Sequence, residues 1–232
     1  MVHGRKCVHE LATHPQVIFL DAVGTLFGVK SSVGTVYAEV AQQFGVEVSA
    51  AALNQAFLQS FRAAGSPAFD TVDQAELQER EFAWWLTIAT NTFKQAGVWH
   101  QFSDFDEFFA ALYAHFATAA PWVVYPDVKP ALERWQRMGI PLGLLSNFDS
   151  RLYSVLESLA LAPFFTSVTL STQVGAAKPD PKIFSIALQK HDCLPNAAWH
   201  IGDSFEEDYQ AAKAVGMRGI WLRRNKGVGV GV

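Results

Sequence analysis

Three things are scarce in this 232-residue chain, and each scarcity closes off a class of protein. Cysteine occurs twice, as Cys7 and Cys193. Two cysteines so far apart make neither a disulfide framework nor a zinc cluster, so both are expected as reduced thiols of a cytoplasmic protein. Charge is sparse as well: 18 Lys and Arg against 22 Asp and Glu leave a net charge of -4, with no basic run. A nucleic-acid partner held through phosphate contacts is therefore not expected. The mild acidity reads as solubility. Long apolar runs are also missing. No stretch approaches the roughly 18 residues of a membrane span, so no membrane partner is expected. Residues 1–15 mix His, Lys, Arg and Glu and lack the apolar centre of a secretory signal, so they read as a frayed lead-in. The Gly/Val tail at 227–232 reads as disordered.

What the chain has is apolar material. Half of its residues are hydrophobic, enough for one core domain with a sizeable insertion. Residues 16–22 form a short apolar run ending in Asp21 and Ala22, the pattern of a strand buried on both faces of a parallel sheet. Further strands are expected at 141–146, 167–171, 199–202 and 219–222. Helical patterns lie between them. Val128, Leu132 and Trp135 share a face behind Asp127, read as an N-cap. Leu152, Val155, Leu156 and Leu159 do so behind Asp149. Asp180-Pro181 reads as an N-cap followed by proline at the first helical position. From residue 122 onward helix and strand alternate, which predicts an α/β fold with a doubly wound parallel sheet.

Residues 31 to about 120 differ. Amphipathic stretches at 33–44, 50–64, 74–96 and 104–117 are punctuated by Gly45, Gly65 and Gly97, with no strand pattern. They predict a helical bundle inserted after the first strand. Its many Phe and Trp residues, among them Phe57, Phe61, Trp84 and Trp85, are expected mainly to pack helix on helix, with a minority lining a pocket that faces the core.

Ligands of open α/β sheets bind beyond the C-terminal strand ends, and four such ends carry chemistry here. In Asp21-Ala22-Val23-Gly24-Thr25, Asp21 suits a carboxylate nucleophile, and Thr25 can hydrogen-bond the site. Ser146-Asn147 ends a second strand, where the hydroxyl can donate to a substrate oxygen, or simply to a turn. Lys178 stands just before a helix start, a place the helix dipole disfavours for a cation unless it neutralises Asp21 and an anionic substrate. In Gly202-Asp203-Ser204-Phe205-Glu206-Glu207-Asp208, two carboxylates five residues apart can gather a hard divalent cation. Glu206 and Glu207 read as favourable charge in a first helical turn.

Together and in this order, the four motifs resemble those of the haloacid dehalogenase superfamily. The resemblance covers both core segments, and the helical insertion stands where that family places its first type of cap. It implies a Rossmann-like core of residues 1–30 and 121–232 with a helical cap over 31–120. It also implies a hydrolase of a small phosphorylated substrate, working as a monomer or homodimer with Mg²⁺. Asp21 would attack phosphorus or carbon and form an aspartyl intermediate, Ser146 would bind the transferred group, and Lys178 would hold nucleophile and substrate charge. Mg²⁺ would sit among Asp21, Asp203 and the main-chain carbonyl of Val23, with Asp208 in support and Thr25 and Asn147 as substrate neighbours. The string 21–27 is similar to the start of the 2-haloacid dehalogenases. Those enzymes lack the carboxylates of the fourth motif, however, and the cap here offers Arg62 as its nearest arginine. Residues 146–149, 175–184 and 84–97 resemble more closely a branch of haloacid dehalogenase-like hydrolase domain-containing proteins of undefined substrate.

One position departs from the family pattern. Its phosphatases carry an Asp two residues after the nucleophile, as general acid and then base; here that residue is Val23. A placed acid/base is worth about 10²–10⁴ in rate. Three readings follow: a phosphatase that is slow or restricted to good leaving groups, a pseudoenzyme binding a phosphorylated ligand or protein, and a metal-independent 2-haloacid dehalogenase.

Overall fold

The structure is a computed structural model that describes residues 14–70 and 73–224. Cys7, the lead-in up to residue 13 and the Gly/Val tail lie outside the described residues. The chain enters through β1 (Val17–Leu20) and leaves the core along β2 (Phe27–Val29). Four helices follow: α1 (Val33–Gln43), α2 (Ala50–Ala64), α3 (Gln74–Gln95) and α4 (Phe105–His115). The chain returns along β3 (Trp122–Val124). Then come α5 (Val128–Arg137), β4 (Leu142–Ser146), α6 (Arg151–Ser158), β5 (Ser167–Leu170), α7 (Ser171–Val174) and α8 (Pro181–Gln189). The chain ends in β6 (Ala198–Gly202), a π-helical turn Phe205–Gln210 running into α9 (Ala211–Ala214), and β7 (Arg218–Trp221).

Five strands form one parallel sheet in the order β5-β4-β1-β6-β7. The chain winds outward from β1 through β4 to β5, then crosses back to β6 and β7 on the other side. The reversal opens a crevice at the C-terminal ends of the three central strands, the place where such sheets bind ligands. Both sheet faces are buried, as the continuous apolar runs require. Val17, Phe19 and Leu145 pack against Ile183 and Phe184 of α8 and Ala212 of α9. Ile18, Leu20 and Leu144 face the other way, against Leu132 of α5 and Val155 of α6. That second cluster runs without a break into the inserted helices through Tyr37, Phe57, Phe93 and Phe108. Each such large side chain stabilises the fold by about 1.5–3 kcal/mol when fully buried.

The cap helices start where side chains satisfy free N–H groups. Ser32, Asp73 and Asp104 accept from Thr35, Glu76 and Glu107 backbone N–H at 3.1, 2.8 and 2.9 Å. Such caps contribute typically about 1 kcal/mol each. Asp180 caps α8 by accepting from Lys182 N at 2.8 Å, with Pro181 at the first helical position, as expected. Asp127 does not cap α5. Its carboxylate is paired instead with Arg224, at 2.7 Å, a partner 97 residues away that local sequence cannot reveal.

A second difference lies at the root of the cap. β2 and β3 pair antiparallel, Phe27 opposite Val124 and Val29 opposite Trp122, so the outgoing and returning chains lie side by side. Three-residue strands are too short to show a period of two, and neither was expected.

Candidate active site

Asp21 is the residue after β1, Ser146 ends β4, and Asp203 follows β6. These are three adjacent strands, so their ends converge. Lys178 comes in from the loop between α7 and α8. Its ammonium donates to Asp21 Oδ1 at 2.7 Å and to Asp208 Oδ1 at 2.5 Å. Ser146 Oγ donates to the same Asp21 oxygen at 3.0 Å. Asp208 is fixed further by His200 Nε2 at 2.8 Å and by Ser204 N–H on its other oxygen at 3.0 Å. Asp21, Ser146, Lys178 and Asp208 are all buried, whereas Asp203 is partly exposed. The wide π-helical turn carries Asp208 back toward Ser204; such turns recur at functional sites.

Two glycines make this crowding possible. Gly24 has φ +87°, and a Cβ there would stand 2.3 Å from Asp203 Oδ2. A Cβ on Gly202 would stand 2.2 Å from Asp208 Oδ2. The motif positions 24 and 202 are thus held open for carboxylates.

The electrostatics are those of a site short of positive charge. Burial raises the Asp21 carboxyl above its ordinary value, and Lys178 works against that. Asp203 is pushed up to about 7, by burial first and then by Asp21 and Asp208. Burial also acts on Asp208, but Lys178 and His200 outweigh it and hold that carboxyl well below the usual range. Burial alone would lower the Lys178 ammonium; Asp21 and Asp208 reverse this and hold it above its ordinary value. One ammonium therefore faces three carboxylates whose oxygens lie within 4.8 Å of one another. That donor set, all hard oxygen, fits a divalent cation such as Mg²⁺. Asp208 has both oxygens committed to Lys178, His200 and Ser204, so Asp21 and Asp203 have the freer oxygens.

The remaining predicted residues fall nearby, with more structural partners than their sequence suggested. Thr25 Oγ1 lies 3.4 Å from Asp203 Oδ1, as its donor. The Asn147 amide brackets the Lys178 main chain, accepting from its N–H at 2.7 Å and donating to its carbonyl at 2.9 Å. It also donates to Glu207 at 3.2 Å. Glu207 is consequently not just a favourable charge in a helical turn. It borders the site, and burial raises its carboxyl. The position directly before Asp208 was the available signal. Val23 also borders the site, with its apolar side chain partly exposed.

Above these groups lies a cavity of about 450 Å³ between core and cap. Phe57 and Phe61 of α2, Trp84 and Trp85 of α3, and Phe109 and Tyr113 of α4 border it. The same rings also pack helix on helix, Phe61 stacking on Trp85 and Phe82 meeting Phe109 edge-on. The two roles expected for the cap aromatics are thus shared by single residues. A largely buried pair lies beside it: Arg151 binds Asp149 through Nε at 2.8 Å and Nη2 at 2.7 Å, lying over the Tyr113 ring at 3.8 Å. Trp85 Nε1 donates to the same Asp149 at 2.7 Å.

The strand-end constellation is matched by known proteins. Residues 15–216 match the haloacid dehalogenase-like hydrolase family. The chain belongs to that family. Haloacid dehalogenase-like hydrolase domain-containing protein 3 of Bos taurus is 37% identical over 198 residues, 85% of this chain and 77% of that protein. The crystal structure of a HAD phosphatase from Thermococcus onnurineus matches with TM-score 0.54 and 25% identity, covering 92% of this chain and 88% of that one. A dehalogenase crystal structure matches with TM-score 0.67 over 94% and 88% of the two chains. At 19% identity that likeness is one of fold. As a member of this hydrolase family, the chain has an α/β core and a helical cap, with an aspartate cluster suited to metal at their junction. Among the described residues no helix is long and apolar enough to cross a membrane.

Proposed function

We propose that this hydrolase is a Mg²⁺-dependent phosphatase of a small phosphorylated substrate, with Asp21 as nucleophile. On this reading residues 1–30 and 121–232 are the catalytic core, and 31–120 the cap that selects the substrate. The observation that carries it is the single Asp21 oxygen gripped by both Ser146 and Lys178 while Asp203 and Asp208 stand close by. Those two bonds orient the carboxylate for attack on phosphorus. The P–O bond to the leaving alcohol breaks as the bond to Asp21 forms. Water then hydrolyses the aspartyl phosphate, releasing inorganic phosphate and restoring the carboxylate. Ser146 and Lys178 are placed to bind the phosphoryl oxygens; Lys178 also offsets the charge that collects there. Asp208 and Asn147 are positioning residues: the first fixes the ammonium of Lys178, the second its main chain. Mg²⁺, held by Asp21, Asp203 and the Val23 carbonyl, would supply further charge neutralisation at the phosphoryl group.

Val23 sets the limit. No carboxylate stands two residues after Asp21, so the leaving group must depart without the family's proton donor, and turnover is expected to be slow for ordinary alcohols. The same residue supports a second reading, a protein that binds a phosphorylated ligand and does not turn it over. Asp203 and Asp208 weigh against a metal-independent dehalogenase. The test is hydrolysis of a phosphate-ester panel by purified protein with Mg²⁺, beside Asp21→Asn. Release of phosphate that disappears in Asp21→Asn is expected. Absence of any such release would leave the binding reading. Calorimetric titration with Mg²⁺ gives a separate readout, with weaker binding expected in Asp203→Asn.

A further inference from the structure

The half of the cavity contributed by the cap is unlike its floor. Phe57, Phe61, Trp84, Trp85, Phe109 and Tyr113 present rings from three helices to one space. Phe61 joins them into a continuous surface, stacked on Phe57 at 5.6 Å and 24° and on Trp85 at 5.9 Å and 29°. Trp84 closes the corner at 88° to Trp85. The charged groups set into this wall neutralise each other. Asp149 takes Arg151 through two nitrogens and Trp85 through its indole N–H. A third guanidinium nitrogen of Arg151 donates to the Tyr113 carbonyl at 3.3 Å. Arg62 also borders the cavity but is exposed to solvent.

Such a wall discriminates strongly between leaving groups. A sugar or glycerol would find few free polar partners on this wall, and each hydroxyl left unpaired there costs roughly tenfold or more in affinity. An arene gains ring packing of the kind already present. The volume, about 450 Å³, is that of a small-molecule site. The floor points the same way for an independent reason. With Val23 in place of a proton donor, the leaving oxygen must carry the electron pair of the broken P–O bond. A phenol ionises near pH 10, as tyrosine does, so phenolate can leave unprotonated. An ordinary alcohol, closer to water at about 15.7, leaves far more slowly.

We infer that the substrates of this enzyme are monophosphate esters of uncharged aromatic alcohols, selected by the ring wall of Phe61, Trp84 and Trp85. This rests on the phosphatase reading above. Asp21 gains the phosphoryl group, the P–O bond to the aryl oxygen breaks, the departing phenolate takes its proton from water, and a second water hydrolyses the aspartyl phosphate to inorganic phosphate.

The test uses the full chain with Mg²⁺ and four substrates: 1-naphthyl phosphate, phenyl phosphate, glucose 6-phosphate and acetyl phosphate. Acetyl phosphate has a good leaving group and no ring, so it separates leaving-group chemistry from the pocket. The expected result is kcat/KM for naphthyl above phenyl phosphate, and about 10²-fold or more above glucose 6-phosphate. In Trp84→Leu and in Phe61→Leu the naphthyl-to-acetyl ratio should fall roughly tenfold, mainly through KM. If glucose 6-phosphate is hydrolysed as well as naphthyl phosphate, in an Asp21-dependent way, the inference is overturned and the phosphatase reading stands. If no ester is hydrolysed, the phosphatase reading fails, and binding decides the ligand class. Calorimetry should then show 1-naphthylphosphonate binding at least tenfold tighter than inorganic phosphate, and less so in Trp84→Leu. Equal affinities would overturn the inference.

Discussion

The floor and the wall of the cavity between core and cap are built on opposite principles. The floor comes from strand ends, where β1, β4 and β6 deliver Asp21, Ser146 and Asp203 by register alone. Its side chains are polar, mostly buried and over-determined: Lys178 touches two carboxylates, and Asp208 has three partners. The wall comes from helices, and its rings are fixed by packing against one another. A floor of this kind does one chemistry and tolerates little change. A wall of this kind can change its occupant by exchanging a ring. Substitutions on the two sides should therefore differ in kind: floor variants lose reaction or fold, and wall variants lose discrimination.

The largest effect expected on the floor is that of Asp21→Asn. An amide cannot attack phosphorus, so kcat should fall by about 10³ or more, with the unfolding midpoint little changed. A steady-state assay beside a urea melt checks both halves. Retained turnover would mean that Asp21 is not the nucleophile, and the contrast between floor and wall would lose its basis.

Lys178→Met comes next, and its effect falls on stability. The ammonium is buried between Asp21 and Asp208, and removing it leaves two close carboxylates without their shared cation. Breaking a buried pair in this way costs about 3–5 kcal/mol. Urea unfolding without Mg²⁺ measures it. If Mg²⁺ sits among these acids, its addition should restore part of the loss, because a ligand of the native state stabilises that state. A loss under about 1 kcal/mol would show that the floor is not held by its charges.

Val23→Asp tests the border of the two regions. It supplies a carboxylate where the family's phosphatases have one, so kcat/KM should rise about 10²-fold for alkyl and sugar phosphates, and much less for aryl phosphates. An equal rise for both classes would show that leaving-group protonation limits neither. No rise at all would place the selectivity entirely in the wall.

The two regions also differ in how far they could be read from sequence. Strand, Asp, Gly and Thr in that order mark a polar strand end facing the crevice, because backbone register fixes where such residues point. The meeting of Asp21, Ser146 and Asp203 at neighbouring strand ends was legible for that reason, and so was the alternation that gives the sheet. Glu207 was not, since a carboxylate in a first helical turn looks the same whether it faces solvent or a cavity. The Asp127–Arg224 pair and the Arg151–Asp149–Trp85 cluster were hidden for another reason. Asp127 satisfies the local N-cap pattern, and its actual partner lies 97 residues on. Trp85 and Asp149, 64 residues apart, meet only after the cap has docked. In the cap, periodicity marks which rings are inside but not which edge of a ring faces the cavity. β2 and β3, three residues each, fall below the length at which alternation can be seen.

The smallest effect concerns the joint between the two regions. Glu81 of α3 is buried, and its carboxylate accepts from Ser150 N–H at 3.0 Å, from Ser150 Oγ, and from Thr172 Oγ1 at 2.6 Å. It ties the cap to the turn beside Ser146. One helical turn further on, Trp85 grips Asp149 in the same turn. Glu81→Ala leaves three donors without their acceptor and should cost about 1–3 kcal/mol. Its pH dependence follows from the carboxyl itself. Burial raises it above the ordinary 4.5, and the Ser150 and Thr172 hydrogen bonds oppose that rise without cancelling it. Above 4.5 the unfolded chain has lost this proton while the folded chain still retains it. Glu81 therefore favours the folded state most at the acid side, and its contribution declines as pH rises through its folded value. The stability of the wild-type chain relative to Glu81→Gln should thus fall from pH 4.5 toward neutrality, as read from paired urea melts. A difference that rose over that range would mean that the hydrogen bonds outweigh burial, and that the joint, like the floor, is held by charge.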